Sequence, residues 1–220
     1  MRQQKKDIKA CVRHWLAQQA DHVLSPHGFG RRANSLIYSR RSPDGSQRIA
    51  IHLEFSPIDD RNAVAAVYPM FRIVVDQANE LVREMVSGRS ELIGELRSSL
   101  SGPIAWTSPD KPRARWYVYQ PDSVPGAVQE IAEFLTSWTV PYIDRYCTVD
   151  GLAAAAAAAT QGTYPYRAAK TQQEKLCVIA AKLLIGQRED ARDLLEQSFG
   201  KPAQRRHFQP VFEYFDALLS

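Results

Sequence analysis

Cysteine and methionine are scarce, three of each in 220 residues. Cys11, Cys147 and Cys177 stand far apart with no C-x-x-C pair. An odd number without a framework is the usage of a reducing compartment and excludes a disulfide scaffold. Metal-ligand spacing is missing too. His14, His22, His27, His52 and His207 form no H-x-x-x-H or H-E-x-x-H pattern and have no cysteine at ligand distance. Long apolar runs are absent; the longest small-apolar run, Leu152 to Ala159, falls far short of the roughly 20 residues a bilayer requires. The N-terminus MRQQKKDIKACVRHWLAQQ has basic residues but no apolar segment after them, which excludes a secretory signal. These absences imply a soluble cytoplasmic chain with no metal, no cofactor and no membrane contact.

Catalytic motifs are missing as well. GFGRR at Gly28 to Arg32 imitates the start of a dinucleotide fingerprint, but it follows a helical pattern and precedes a strand, the reverse of the required order. Cys147, among Tyr146, Val149 and Leu152, suits a buried small hydrophobe better than a nucleophile.

What is present is charge, unevenly spread. Residues 1–50 carry ten Lys/Arg against three Asp/Glu, and residues 51–150 nine against fourteen. The basic excess belongs to the first fifth of the chain, which permits contact with phosphate or with an acidic protein surface.

Periodicity supplies the architecture. Ile8, Val12, Trp15, Leu16, Ala20 and Val23 recur at helical spacing, and Ser25-Pro26 ends that helix. Gly28 and Gly30 read as a turn. Ser35 to Arg40 and Gln47 to Phe55 flank the turn-forming Ser42-Pro43-Asp44-Gly45-Ser46 and predict a hairpin. In the second strand Ile49, Ile51, Leu53 and Phe55 face a core while Ala50, His52 and Glu54 face away. Val67 to Val75 predicts a third strand and Arg113 to Tyr119 a fourth. The proline-rich stretch between Ser101 and Pro112 reads as loop, with a short strand around Ile104 to Thr107. A helix begins at Asp76, and Ser90 caps a second piece through Leu92, Ile93 and Leu96. Val128, Ile131, Leu135 and Trp138 mark another helix, which Pro141 interrupts. Thr148 or Asp150 opens an alanine-rich helix suited to close packing.

Gln161 to Tyr166 reads as a linker, followed by three helices with a turn at Gly186-Gln187. AAKLLIGQREDARDLLEQ has the small-residue spacing of a tetratricopeptide-type hairpin, but one copy makes no array. The expectation is an α+β domain over residues 1–160, an antiparallel sheet of about four strands covered on one face by the first helix and the helix near Val128 to Tyr146. A helical segment over 161–220 follows.

The helix, Gly28-Phe29, the pair Arg31-Arg32, Asn34 before the first strand, and Pro141 with Asp144-Arg145 together resemble an uncharacterised family of bacterial domains of unknown function. The resemblance covers about Ile8 to Leu152. It implies an α+β fold and supplies no catalytic residues.

Three candidate surfaces emerge. His52 and Glu54, two apart on one strand face with Tyr117 and Tyr119 nearby, could be an acid/base pair or an exposed sheet face. Arg31, Arg32, Arg40 and Arg41 flank Leu36-Ile37-Tyr38; with Lys5, Lys6, Lys9 and Arg48 they could form one basic surface for nucleic acid or a charged rim facing a protein. Arg40, Arg115, Tyr117 and Tyr119 have the composition of a protein-binding hot spot. The favoured reading is a non-enzymatic module that binds another protein, of the immunity type that neutralises a bacterial toxin. Nucleic-acid binding and an enzyme using His52 and Glu54 are the alternatives.

Overall fold

The computed structural model describes residues 2–109, 115–160 and 171–219. Helix α1 (Arg2–Trp15) runs through a π-helical turn (Leu16–Ala20) into α2 (Asp21–Leu24) and a 3-10 turn (Ser25–His27). Strands β1 (Gly30–Arg31), β2 (Ile37–Ser42), β3 (Gly45–Phe55) and β4 (Ala65–Val75) precede α3 (Asp76–Met85). Then come β5 (Leu100–Pro103), a 3-10 turn (Ile104–Thr107) and β6 (Trp116–Val118). Helix α4 (Val124–Phe134) passes through a second π-helical turn (Leu135–Thr139) into α5 (Val140–Tyr146). The chain finishes with α6 (Val149–Thr160), α7 (Gln172–Leu184), α8 (Arg188–Phe199), α9 (Pro202–His207) and α10 (Gln209–Leu219).

The first helix buries Ile8, Val12, Leu16, Ala20 and Leu24. A strict spacing of four drifts around a helix of 3.6 residues per turn, and the wider π turn takes up the drift in mid-stripe. That is why Leu24 joins the core, while Trp15 and Val23, expected in the stripe, are half-exposed. The second π turn lies just before Pro141, whose ring crowds the carbonyl four residues back, so the helix widens there instead of breaking.

Among the described residues the strands form one sheet of six, in the order β1-β2-β3-β4-β5, with β6 also paired to β4. The α+β class therefore stands, but the expected count of four is corrected. β1 hides in glycine-rich sequence that reads as a turn, yet Gly30 pairs with Ser39 and Arg31 with Tyr38. β5 alternates in burial, but at four residues, Leu-Ser-Gly-Pro, it is too short to show a period in the sequence. The strand expected at Ile104 to Thr107 is a 3-10 turn: the Trp106 ring lies so close to Gly102 that a Cβ there would meet it at 2.2 Å. The helix expected from Ser90 is one 3-10 turn through Leu92 without a side-chain cap. The Gln161 to Tyr166 linker, and Arg113-Ala114 of the fourth expected strand, lie outside the described residues.

The chain forms two compact units. The first comprises residues 1–42, 47–72 and 101–144. Its sheet residues Ile49, Ile51, Val67, Phe71, Trp116 and Val118 are buried, with the helices on that side: Trp116 meets Phe134 edge-on at 6.0 Å and Phe71 lies 5.1 Å from Tyr142. Each such large side chain stabilises the fold by roughly 1.5–3 kcal/mol.

The second unit comprises residues 43–46, 73–100 and 145–220. Its central helix is α7, whose Leu176 through Ala181 are all buried, with α3, α6 and α8 packed around it. Thr171 and Glu174 form a capping box at its start, each side chain accepting the other's backbone N–H at 3.1 Å. Gly186 at φ +81° makes the expected turn into α8.

A buried polar trio sits beside α7. Ser99 Oγ accepts the Val75 N–H at 2.8 Å and donates to Asn79 Oδ1 at 2.8 Å; Cys177 Sγ donates to the same oxygen at 3.3 Å. Burial, and next the Glu174 carboxylate, push the Cys177 thiol up to about 12 from the ordinary 9.0. A folded-state value above the unfolded one gives stability that is fully present below pH 9 and lost as pH rises toward 12. Urea unfolding across that window should show a flatter pH dependence for Cys177→Ala than for the native chain; parallel curves would rule this linkage out.

Candidate functional site

Strand alternation decides what each arginine of the N-terminal pairs can do. β2 turns Tyr38 and Arg40 inward and leaves Ile37, Ser39 and Arg41 exposed. Arg31 is likewise enclosed, with only 2% of its side chain accessible. It holds Asp21 through Nε at 3.0 Å and Nη2 at 2.9 Å, and its Nη1 donates to the carbonyls of Ala33 and Ser35. Tyr38 donates its hydroxyl to the same Asp21 carboxylate at 2.6 Å; burial first, then that bond, raise the phenol above its ordinary range. Arg40 lies over the Phe29 ring at 4.6 Å and donates to Gln47 Oε1, the His27 carbonyl and Asp144.

Arg31 and Arg40 are thus committed to the fold, whereas Arg32 and Arg41 are exposed. The pairs are split, one member inward and one outward. The expected core run Leu36-Ile37-Tyr38 is split in the same way, since Ile37 is 45% exposed. Lys5 lies 5.4 Å over the ring of Phe55, and no lysine is among the residues that line the groove beside Arg48.

The outward face of β3 and β4 brings the other candidates together. His52 stacks on Tyr68 of β4 with ring centroids 5.2 Å apart and an 18° tilt. β6 pairs antiparallel with β4, Tyr117 opposite Ala66, which sets Tyr117 on the outward face while Trp116 and Val118 go to the core. Arg115 lies 5.5 Å from the Tyr68 ring centre and donates to Glu54 Oε2 at 2.6 Å and to Asp59 Oδ1 at 3.4 Å.

The loop after β3 completes the cluster. Ser56 at φ +56° turns the chain, and Asp60 accepts the backbone N–H of Asn62 at 2.9 Å. That turn points Asp59 at the Tyr117 hydroxyl, 2.6 Å away, and Asp60 at the Tyr119 hydroxyl, 2.9 Å away. The Tyr117 bond first, with Arg115 adding to it, holds the Asp59 carboxyl below its ordinary range; the same bond raises the Tyr117 phenol.

His52, Glu54, Arg115 and Tyr117 therefore share one patch with Tyr119 at its border, whereas Arg40, expected beside Arg115 and the tyrosines, is engaged by Gln47, His27 and Asp144. Tyr68, Asp59 and Asp60 were missed. The outward alternation Ala66, Tyr68, Met70, Arg72 carried the signal for Tyr68; the carboxylates come from a loop whose course no periodicity encodes. Chemically the patch is a set of satisfied pairs. Glu54 and Asp59 are both bonded to Arg115, and His52 is engaged by stacking. Among the described residues no group of three His, Cys, Asp or Glu could hold a metal ion, and no helix is long and apolar enough to cross a membrane. Cys147 is buried, and none of the three cysteines is in a disulfide.

Comparison of the chain with protein-family models, with curated proteins and with solved structures finds no match.

Proposed function

We propose that this chain is a non-enzymatic protein-binding module whose contact surface is the outward sheet face of its first unit. The observation that carries this reading is the patch of His52, Tyr68, Arg115 and Tyr117 with Tyr119 at its edge: aromatic and arginine side chains presented by strands, already ordered by mutual contacts. Such residues dominate binding hot spots because they bury large areas at small entropic cost. Acid/base chemistry fits the patch less well, because each carboxylate is already paired and no nucleophile stands among them. Nucleic acid also fits it less well, since Asp59 and Asp60 sit at the tyrosine hydroxyls where a phosphate backbone would pass. A toxin held by an immunity-type protein is the partner class to examine first.

The test is affinity capture of the tagged protein from its own nuclease-treated lysate at low and moderate salt. A stoichiometric protein partner is expected at both salts, and Tyr117→Ala should weaken it by about 2 kcal/mol, some thirty-fold. Arg40→Glu is not a probe of this surface, because Arg40 serves the fold. Recovery of nucleic acid alone, with a steep loss on adding salt, would overturn the proposal.

A further inference from the structure

A shallow groove of about 570 Å³ lies at the β1–β2–β3 end of the first unit, with Ile37, Ser39 and Arg48 among its lining residues and Arg32 and Ser35 at its side. From this groove we infer that the partner is engaged through an acidic extended segment carrying an apolar side chain. The inference rests on the protein-binding reading above and deepens it.

The groove's charge is one-sided. Arg32 and Arg48 are exposed in its lining, and Arg41 projects from the same face of β2, one strand period of about 7 Å beyond Ser39. No carboxylate is among the lining residues. Arg31 lies in the wall but its charge is taken up by Asp21, so the exposed cations of the lining are Arg32 and Arg48. Ile37 lines the same groove, 45% exposed on a strand where tyrosine and arginine have taken the inward positions. Apolar surface in one groove with exposed arginines matches a ligand of the opposite charge that carries an apolar residue.

A nucleic-acid strand meets the charge but not the rest. No aromatic ring is among the lining residues to stack a base, and Ile37 would be covered by a hydrated sugar-phosphate chain. A free anion would need no apolar contact at all. An extended polypeptide places alternate side chains on one face at the strand period, so acidic residues can reach the arginines while an apolar one covers Ile37. The groove also adjoins the edge of the sheet, since β1 is the terminal strand in the order and only two residues long.

Fluorescence anisotropy tests this directly, with a fluorescein-labelled peptide of Glu and Asp broken by one Leu as the probe. The comparators are the same peptide with Lys for each acid and a labelled oligothymidylate. The acidic peptide should bind, and Arg48→Glu and Ile37→Asp should each weaken it about ten-fold or more. Arg188→Glu, the same charge change at an exposed arginine of the second unit, should leave it unchanged, and circular dichroism should show the variants folded. No binding of the acidic peptide, equal binding to Arg48→Glu, or stronger Arg48-dependent binding of oligothymidylate would each overturn the inference. The lysate capture separates its failure from that of the broader reading. A partner lost on Tyr117→Ala but kept on Arg48→Glu removes the groove alone; a partner indifferent to both removes the whole sheet face.

Discussion

Asp21→Ala should lower the free energy of unfolding by about 3 kcal/mol, read as a fall in the urea midpoint without a change in slope. Asp21 takes two donors from Arg31 and one from Tyr38. Without it a guanidinium whose side chain is only 2% accessible keeps its charge and loses its counter-ion, and a buried phenol loses its acceptor. Stranding a buried charge ordinarily costs about 3–5 kcal/mol. The lower end applies because Asp21 itself is 39% accessible, so water reaches the site. The reverse deletion, Arg31→Met, should cost less, since the carboxylate left behind is hydrated. The double variant Asp21→Ala with Arg31→Met should recover part of the loss, because no unpaired charge remains. If the two single variants were equally damaging and their effects additive, the ion pair would not be the cause.

Gly45→Ala should be at least as damaging, about 3–4 kcal/mol. Gly45 opens β3 at φ +155°, and a Cβ built there would stand 2.0 Å from the Val74 carbonyl oxygen and 3.3 Å from the Asp76 amide nitrogen. Both obstacles are backbone, so no rotamer change relieves them. Either the Pro43-Asp44 turn or the end of β4 has to move, and the Asp76 N–H bond to the Asp44 carbonyl, 2.9 Å, would be strained with it. Gly126 in the first turn of α4 is the control. A Cβ there meets nothing within 4 Å, and Gly126→Ala should stabilise by about 0.5 kcal/mol through helix propensity. Thermal unfolding of the two variants beside the parent should move in opposite directions. A neutral Gly45→Ala would show that the hairpin has slack which the close approach of β3 and β4 denies.

Much of this architecture is written in period and punctuation. The alternation from Ile49 to Phe55 sets His52 and Glu54 on the outward face, and the burial of Ile49 and Ile51 follows from it. Pro43-Asp44-Gly45 announced the hairpin, and Thr148 receives the Gly151 N–H at 3.1 Å at the start of α6 as its position suggested. The failures share one cause: short elements defined by tertiary partners. β1 is a strand because Tyr38 and Ser39 are there to pair with it, and β5 because β4 is. The doublets Arg31-Arg32 and Arg40-Arg41 were legible as charge but not as function. A strand sends neighbours to opposite faces, and only the positions of Asp21, Gln47 and Asp144 reveal which member is consumed by the fold.

The two units interleave along the chain, which bears on how a ribosome must deliver them. Residues 1–42, 47–72 and 101–144 complete the first unit, while 73–100, carrying Ala78, Val82 and Met85 on one face of α3, belong to the second. The buried partner of that face is α7, made nearly a hundred residues later. During synthesis α3 therefore emerges with its apolar side uncovered and stays so until α7 has left the exit tunnel. Contacts this distant in sequence close slowly and leave sticky surface exposed meanwhile. The nascent chain carries that exposure for a large share of its own translation.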